Sequence, residues 1–170
     1  MFTAVQFPLL LILLAFVLTA IIQSSTAATA IFITMGANGL IGFSSIVFLV
    51  FGTHLGTTVT ALIAAIPANR NAKRAAVMHL LFNLFGAIIF LPIIWGLSGQ
   101  FVPWFERLIS DPVWQITVFS FSLKLATAIV LLMFIKPTNR LVHFLVKDGP
   151  EQIIIDELAE DPFQGFTAKF

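Results

Sequence analysis

The sequence predicts an all-α integral membrane fold, and three observations support that prediction. Of its 170 residues 59% are hydrophobic and 10% are charged, whereas a soluble domain carries roughly 25% charged residues. No charged side chain occurs before Arg70. Phe occurs 19 times and Tyr not at all, which suits lipid-facing and buried helix surfaces. The chain has no Cys, which excludes disulfides and thiolate metal sites.

Two polar interruptions divide the apolar first half. Residues 4–22 form a first helix, residues 23–25 interrupt it, and a second apolar segment runs from Thr26 to about Met35. A further apolar piece, about 40–51, meets a Gly- and Thr-rich segment at 52–58 and resumes until Pro67. A span needs about 20 apolar residues, so each region is too long for one span and too short for two. Broken or re-entrant helices are predicted at both places; a tilted span plus an interfacial helix is the alternative.

The second half of the sequence predicts two helices that each span the membrane fully. They cover residues 75–97 and 113–135, with a short interfacial helix at 98–111 between them. Beyond Pro137 the chain turns polar, so a membrane domain at 1–136 and a tail at 137–170 are predicted. Basic residues precede the first full span and follow the last: Arg70, Lys73, Arg74, Lys136, Arg140 and Lys147. By the positive-inside rule both segments, and the C-terminal tail, are predicted to be cytoplasmic.

The first interruption offers polar groups at a depth where a bilayer provides no water. Gln23, Ser24, Ser25 and Thr26 supply an amide and three hydroxyls. A helix starting near Ser25 or Thr26 would direct unpaired amides at an anion, and carbonyls ending the preceding arm would suit sodium. Alternatively, the hydroxyls bond to their own helix or to a neighbouring one.

The second interruption follows the same logic. Its glycines permit close backbone approach, and Thr57 and Thr58 are expected to cap a following helix. His54 is expected to pack rather than to carry a proton. His79 and Asn83 are four residues apart and therefore share a helix face, from which they are expected to bond a neighbouring helix or to brace a break.

Lys124 is the one charged side chain inside a predicted apolar span, and it lies near the middle of residues 113–135. With Thr117, Ser120 and Thr127 it forms a polar stripe facing protein or a cavity. Its ammonium could balance an anion or replace a bound cation, or it could be a neutral amine bonded within the bundle. No catalytic constellation and no nucleic-acid motif is visible, so an enzyme is not predicted.

These motifs together resemble the type II sodium/phosphate cotransporter family. That family carries Gln-Ser-Ser-Ser, Gly-Ala-Asn-Ile-Gly-Thr-Thr and His-x-x-Phe-Asn elements, which correspond to residues 23–26, 52–58 and 79–83. This chain departs from them at Thr26, which replaces the last serine, and at residues 53–55, where Thr-His-Leu replaces Ala-Asn-Ile. The resemblance covers about residues 15–92. It implies a multi-pass protein of the plasma or inner membrane that takes up inorganic phosphate with sodium by alternating access, without an organic cofactor.

The resemblance also implies site residues. It places six near the ligands: Gln23, Ser24, Ser25, Thr26, Thr57 and Thr58. Gln23, Ser24 and Thr57 are the implied sodium ligands. Four further residues are expected to support the site: His54, His79, Asn83 and Lys124. The family often repeats His-x-x-Phe-Asn in the following helix, where residues 121–125 read Phe-Ser-Leu-Lys-Leu, so Lys124 could make one sodium site redundant.

The family is built from two inverted repeats, and one signature is found here. The chain is therefore predicted to be half of an inverted-repeat transporter that needs a second repeat, or an inverted copy of itself in a homo-oligomer. The alternatives are a non-transporting scaffold or regulatory subunit, and a sodium-independent carrier of another oxyanion. Residues 153–162 loosely resemble the junction to a soluble regulatory domain in bacterial members.

Overall fold

Residues 7–147, the part of the chain that the computed structural model describes, form a bundle of seven helices. In chain order these are α1 (Pro8–Ile22), α2 (Ser25–Ala37), α3 (Phe43–Ala65), α4 (Arg70–Gly96), α5 (Ser98–Leu108), α6 (Pro112–Met133) and α7 (Ile135–Leu145). By length and composition α3, α4 and α6 can each cross a membrane. The predicted all-helical membrane class is confirmed at this level.

Local signals set several helix ends. Pro8 and Pro112 open α1 and α6, where a missing N–H costs nothing. The Asp111 carboxylate caps α6 by accepting from the Val113 N–H at 2.7 Å, and the Asn69 side chain caps α4 by accepting from Ala72 N–H at 2.9 Å. As predicted, α3 ends before Pro67.

The first predicted interruption is confirmed, because α1 ends at Ile22 and α2 begins at Ser25. The second is wrong, because α3 continues unbroken through residues 52–58. The glycines there allow α1 to approach closely. A Cβ on Gly52 would lie 2.3 Å from the Ile12 carbonyl oxygen, and one on Gly56 would lie 2.7 Å from that of Phe16. These glycines allow two helices to pack closely and do not change the direction of the backbone.

The contacts of these glycines fix the direction of α1. Gly52 meets Ile12, and Gly56, one turn later, meets Phe16 and Thr19, so α1 runs parallel to α3. Near the other end of α2, Gly36 meets Ile46 in the first turn of α3. The chain therefore reverses between α1 and α2, and the two form a helical hairpin packed along α3.

The core lies around the first half of α3 and one end of the bundle. Residues 46–51 of α3 are all nearly fully buried. At that end α5, predicted as an interfacial helix, inserts Phe105. Its ring stacks on Phe43 with centroids 4.8 Å apart and meets Phe119 edge-on at 6.2 Å. This aromatic cluster joins the starts of α3 and α6.

The opposite end gathers the basic residues. The Arg70 guanidinium donates to the Lys147 carbonyl oxygen at 2.6 Å, and Arg74 donates to that of Val146 at 3.1 Å. The two basic segments thus meet at one end of the bundle, and their cytoplasmic side stays a prediction. α7 was not predicted as a helix. The predicted domain boundary at 136 falls within its first turn, and the tail from 148 onward, with residues 153–162, lies outside the described residues.

Candidate functional site

The turn between α1 and α2 is built by two residues with opposite backbone conformations. Gln23 is left-handed, with φ 58° and ψ 24°, and its N–H donates to the Thr19 carbonyl oxygen at 2.8 Å. Ser24 is extended, with φ −145° and ψ 109°, and its hydroxyl oxygen accepts from the Ala27 N–H at 3.2 Å. Gln23 therefore ends α1, and Ser24 caps α2. We call residues 23–26 the hairpin tip.

The hairpin tip presents amide dipoles. The first N–H groups of a helix have no intrahelical partner, and the Ser24 cap engages that of Ala27. The N–H groups of Ser25 and Thr26 precede it at the positive end of the α2 dipole. The side chains of Gln23 and Thr26 are exposed, and those of Ser24 and Ser25 are half-buried. This arrangement of amides and hydroxyls is suited to an oxyanion.

The depth of the tip follows from the packing of α1 on α3. Thr19 lies against Gly56, and α1 runs parallel to α3. One further turn, about 5.4 Å, brings Gln23 to about the level of Thr60. The tip therefore lies nearer the end of α3 where the basic residues gather than the end where α5 packs.

Thr57 and Thr58 do not cap a helix, which corrects that prediction. Both lie inside α3, where their hydroxyls donate to the His54 and Leu55 carbonyl oxygens at 2.7 Å each. A hydroxyl at such depth satisfies its proton most cheaply within its own helix. Each hydroxyl oxygen still has lone pairs to offer a ligand.

Polar side chains from three helices meet on another side of α3. His54 of α3, Asn83 of α4, and Lys124 and Thr127 of α6 line one small cavity of about 10 Å³, room for roughly a single water. Asn83 donates to the His79 carbonyl oxygen of its own helix at 3.0 Å, rather than to a neighbouring helix, which was one of the two roles expected of it.

An open groove adjoins this cavity. It has a volume of about 470 Å³, and its polar lining comes from Thr57, His79, Asn83 and Lys124. Its apolar lining comes from Phe82, Phe121, Leu125 and Ala128. We call it the Lys124 groove. His79 and Asn83 share this face of α4, as their spacing predicts.

Nine of the ten predicted site residues fall into two groups, and the tenth, Thr58, is buried within α3. Gln23, Ser24, Ser25 and Thr26 form the hairpin tip on the α1 side of α3. His54, Thr57, His79, Asn83 and Lys124 meet on the side of α4 and α6. The implied sodium ligands Gln23, Ser24 and Thr57 are divided between the two groups. Thr57 lies about one turn from the depth of the tip.

Thr19 is a further candidate, which the sequence patterns do not indicate. It is fully buried, its carbonyl oxygen accepts from Gln23 N–H, and its hydroxyl oxygen has no hydrogen-bond partner among the described residues. The Ser120 hydroxyl oxygen is likewise buried and unpartnered within residues 7–147. The sequence feature that could have indicated Thr19 is its hydroxyl, one helical turn before the interruption.

Comparison with known proteins gives the family. The Na+/Pi-cotransporter family matches residues 1–102, which include the hairpin tip, all of α3 and the His79–Asn83 face. The chain belongs to this family. Its membership and its three apolar helices together identify a membrane protein of a transporter family. No solved structure shows a significant match to the chain.

Three relatives illustrate the range of this Na+/Pi-cotransporter family. "Uncharacterized protein YqeW" of Bacillus subtilis is 35% identical over 79% of this chain and 43% of its own length. "Putative inorganic phosphate export protein YjbB" of Escherichia coli K12 is 31% identical over 75% of this chain and 23% of its own length. "Sodium-dependent phosphate transport protein 2A" of Oryctolagus cuniculus is 33% identical over 44% of this chain and 13% of its own length. The chain thus spans less than half the length of each.

Proposed function

We propose that the chain is one repeat of a transporter that moves inorganic phosphate across a membrane with sodium, and that the hairpin tip holds the solute. The backbone at Gln23 carries this proposal. Gln23 is the one non-glycine residue with a positive φ among the described residues. Glycine adopts this conformation without the cost that a side chain brings. A left-handed residue beside the first N–H groups of α2, which have no intrahelical partner, favours a role for its side chain.

The chemistry of the tip supports phosphate as the solute. Its amides and hydroxyls donate hydrogen bonds to an oxyanion, and the α2 dipole favours negative charge. The printed names of the Escherichia coli and rabbit relatives include inorganic phosphate export and sodium-dependent phosphate transport. Sodium ions would offset the phosphate charge at a depth where an uncompensated charge is costly. The amide oxygen of Gln23 and the hydroxyl oxygen of Ser24 are our proposed sodium ligands at the tip. The hydroxyl oxygen of Thr57, which faces α4 and α6, is our proposed ligand of a separate sodium ion.

A second repeat completes the proposed transporter. In our proposal α1 and α2 enter the bilayer as a re-entrant hairpin, and the site closes alternately toward each side against an inverted repeat. The chain spans 43% and 23% of the YqeW and YjbB relatives, respectively, which leaves room in them for such a partner. For this chain the partner would be a second repeat or an inverted second copy.

Uptake of labelled phosphate into proteoliposomes tests the proposal. The wild-type protein should accumulate phosphate under an inward sodium gradient and much less in choline. Gln23→Gly keeps the left-handed turn and removes the amide, so it should fold and transport at least tenfold more slowly. Thr53→Val is the control: it removes a hydroxyl from residues 52–58 of α3, away from the hairpin tip, and should transport at the wild-type rate. Folded protein that inserts in both orientations and does not transport under any gradient would overturn transport by this chain paired with an inverted copy, in favour of a scaffold.

A further inference from the structure

Lys124 places a charge deep within the apolar part of the bundle. It lies about 18 Å from the first residue of α6 and about 14 Å from the last, at the rise of an α-helix. The side chain is exposed on the bundle surface rather than enclosed in the core. At this depth its ammonium is far from the headgroups at either end, so a lipid phosphate is not its counter-ion.

The described part of the chain supplies no carboxylate to this lysine. Among residues 7–147 the acidic side chains are Glu106 and Asp111, in α5 and just before α6. Both lie toward the start of α6, and Asp111 already accepts from the Val113 and Trp114 N–H groups. An ammonium inside a membrane without a counter-charge is costly. The charge of Lys124 therefore calls for an anion from outside this segment.

The Lys124 groove has the composition of an anion site. It opens to the bundle surface and has a volume of about 470 Å³. Beside the ammonium it has the Thr57 hydroxyl, the His79 imidazole and the Asn83 amide, contributed by two other helices. His79 is exposed, whereas Asn83 is 9% exposed and held by its bond to the His79 carbonyl oxygen.

We propose that the Lys124 groove binds an inorganic oxyanion, and that inorganic phosphate is the anion it takes. The Lys124 ammonium supplies the charge, and His79 and Asn83 supply polar contacts. The site is separate from the hairpin tip, because Gly52 and Gly56 turn toward α1 while His54 and Thr57 turn toward α4 and α6. The choice of phosphate rests on the proposed function, whereas the requirement for an anion rests on Lys124 alone.

Cysteine labelling of the whole protein tests this site, since the chain contains no native Cys. Leu125→Cys introduces a thiol into the groove, and Ile88→Cys introduces one on an exposed apolar part of α4 that does not line it. The protein in vesicles is treated with a small water-soluble thiol reagent, with and without inorganic phosphate. Leu125→Cys should be labelled faster than Ile88→Cys, and phosphate should slow its labelling at least fivefold.

The charge is then removed in the same background. Lys124→Gln should abolish protection by phosphate and Lys124→Arg should retain it, while Lys136→Gln, at the start of α7, should leave it unchanged. Equal protection in Lys124→Gln, or none with Lys124 present, would overturn the inference. Phosphate transport without protection would refute the anion site alone, whereas protection without transport would refute the proposed function alone.

Discussion

The hairpin tip and residues 52–58 of α3 are both rich in small and hydroxylated residues, yet they do opposite things to the backbone. At the tip, Gln23 turns left-handed and the Ser24 oxygen accepts a hydrogen bond from an amide. In α3, the Thr53 and Thr57 hydroxyls donate to carbonyls three residues earlier, and the helix continues. The direction of the hydrogen bond distinguishes a cap from an interior hydroxyl.

The glycines differ for a related reason. Gly52 and Gly56 have ordinary helical conformations. They must be glycines because a Cβ at either position would overlap the α1 backbone. The absence of a side chain at these two positions therefore lets two helix backbones approach closely and does not break α3. At the reversal between α1 and α2 the left-handed residue, Gln23, has a side chain, whereas between α2 and α3 it is Gly39.

Gly52→Ala should have the largest effect. The added Cβ would lie 2.3 Å from the Ile12 carbonyl oxygen and 2.6 Å from the Ala15 Cβ, both on or next to rigid backbone. Separating α1 from α3 should cost about 3 kcal/mol or more. Thermal unfolding in detergent measures it. Gly99→Ala, where nothing lies within 4 Å, is the control and should unfold at or slightly above the wild-type temperature. An unchanged Gly52→Ala would mean that α1 does not pack this closely.

Gly86→Ala should have a smaller effect, because its neighbour is a side chain. The added Cβ would lie 2.7 Å from Thr127 Cγ2. Thr127 can move at the expense of its bond to the Leu123 carbonyl oxygen, so a loss of about 1–2 kcal/mol is expected. Adding Thr127→Ala should recover most of that loss. Simple additivity of the two changes would show that the residues are not in contact.

Ser24→Ala removes the cap of α2 and should lower the free energy of unfolding by about 1 kcal/mol. Ser24→Thr should retain the cap. Thr53→Val removes a buried hydroxyl that bonds only within α3 and should have less than half that effect. Equal destabilisation by Ser24→Ala and Thr53→Val would contradict the assignment of Ser24 as the N-cap of α2.

Gln23→Gly should have the smallest effect on stability, and of opposite sign. Glycine removes the steric cost of a side chain in the left-handed conformation, but it loses more backbone entropy on folding. The net effect should be a gain of about 0.5 kcal/mol in the free energy of unfolding. Unfolding of the same preparation used for phosphate uptake measures both quantities. A marked loss of stability would mean that the Gln23 side chain is structural rather than functional.

Two of the three long apolar helices, α4 and α6, were predictable because their length and uninterrupted hydropathy determine them. The predicted spans at 75–97 and 113–135 correspond to α4 and α6, and the short helix at 98–111 corresponds to α5. The helix α7 was missed because Lys136, Pro137 and Arg140 make its segment polar. In the helix, Thr138 and Val142 share one buried face, a four-residue spacing that average polarity does not reveal.

The candidate site was predictable only within single helices. The four-residue spacing of His79 and Asn83 places them on one face without knowledge of the fold. The meeting of His54, Asn83 and Lys124 depends on how three helices pack, and no local pattern contains that information. The same limit explains the error at Gly52, whose reason lies in the distant residue Ile12.

The two arginines at the start of α4 have a mechanical consequence. Arg70 and Arg74 hold the carbonyls of Lys147 and Val146, at the last described positions of the chain. We expect a displacement of residues 146–147 to reach the first turns of α4 through these hydrogen bonds. Because α4 also bears His79, a force on residues 146–147 would be carried along this helix to the middle of the bundle.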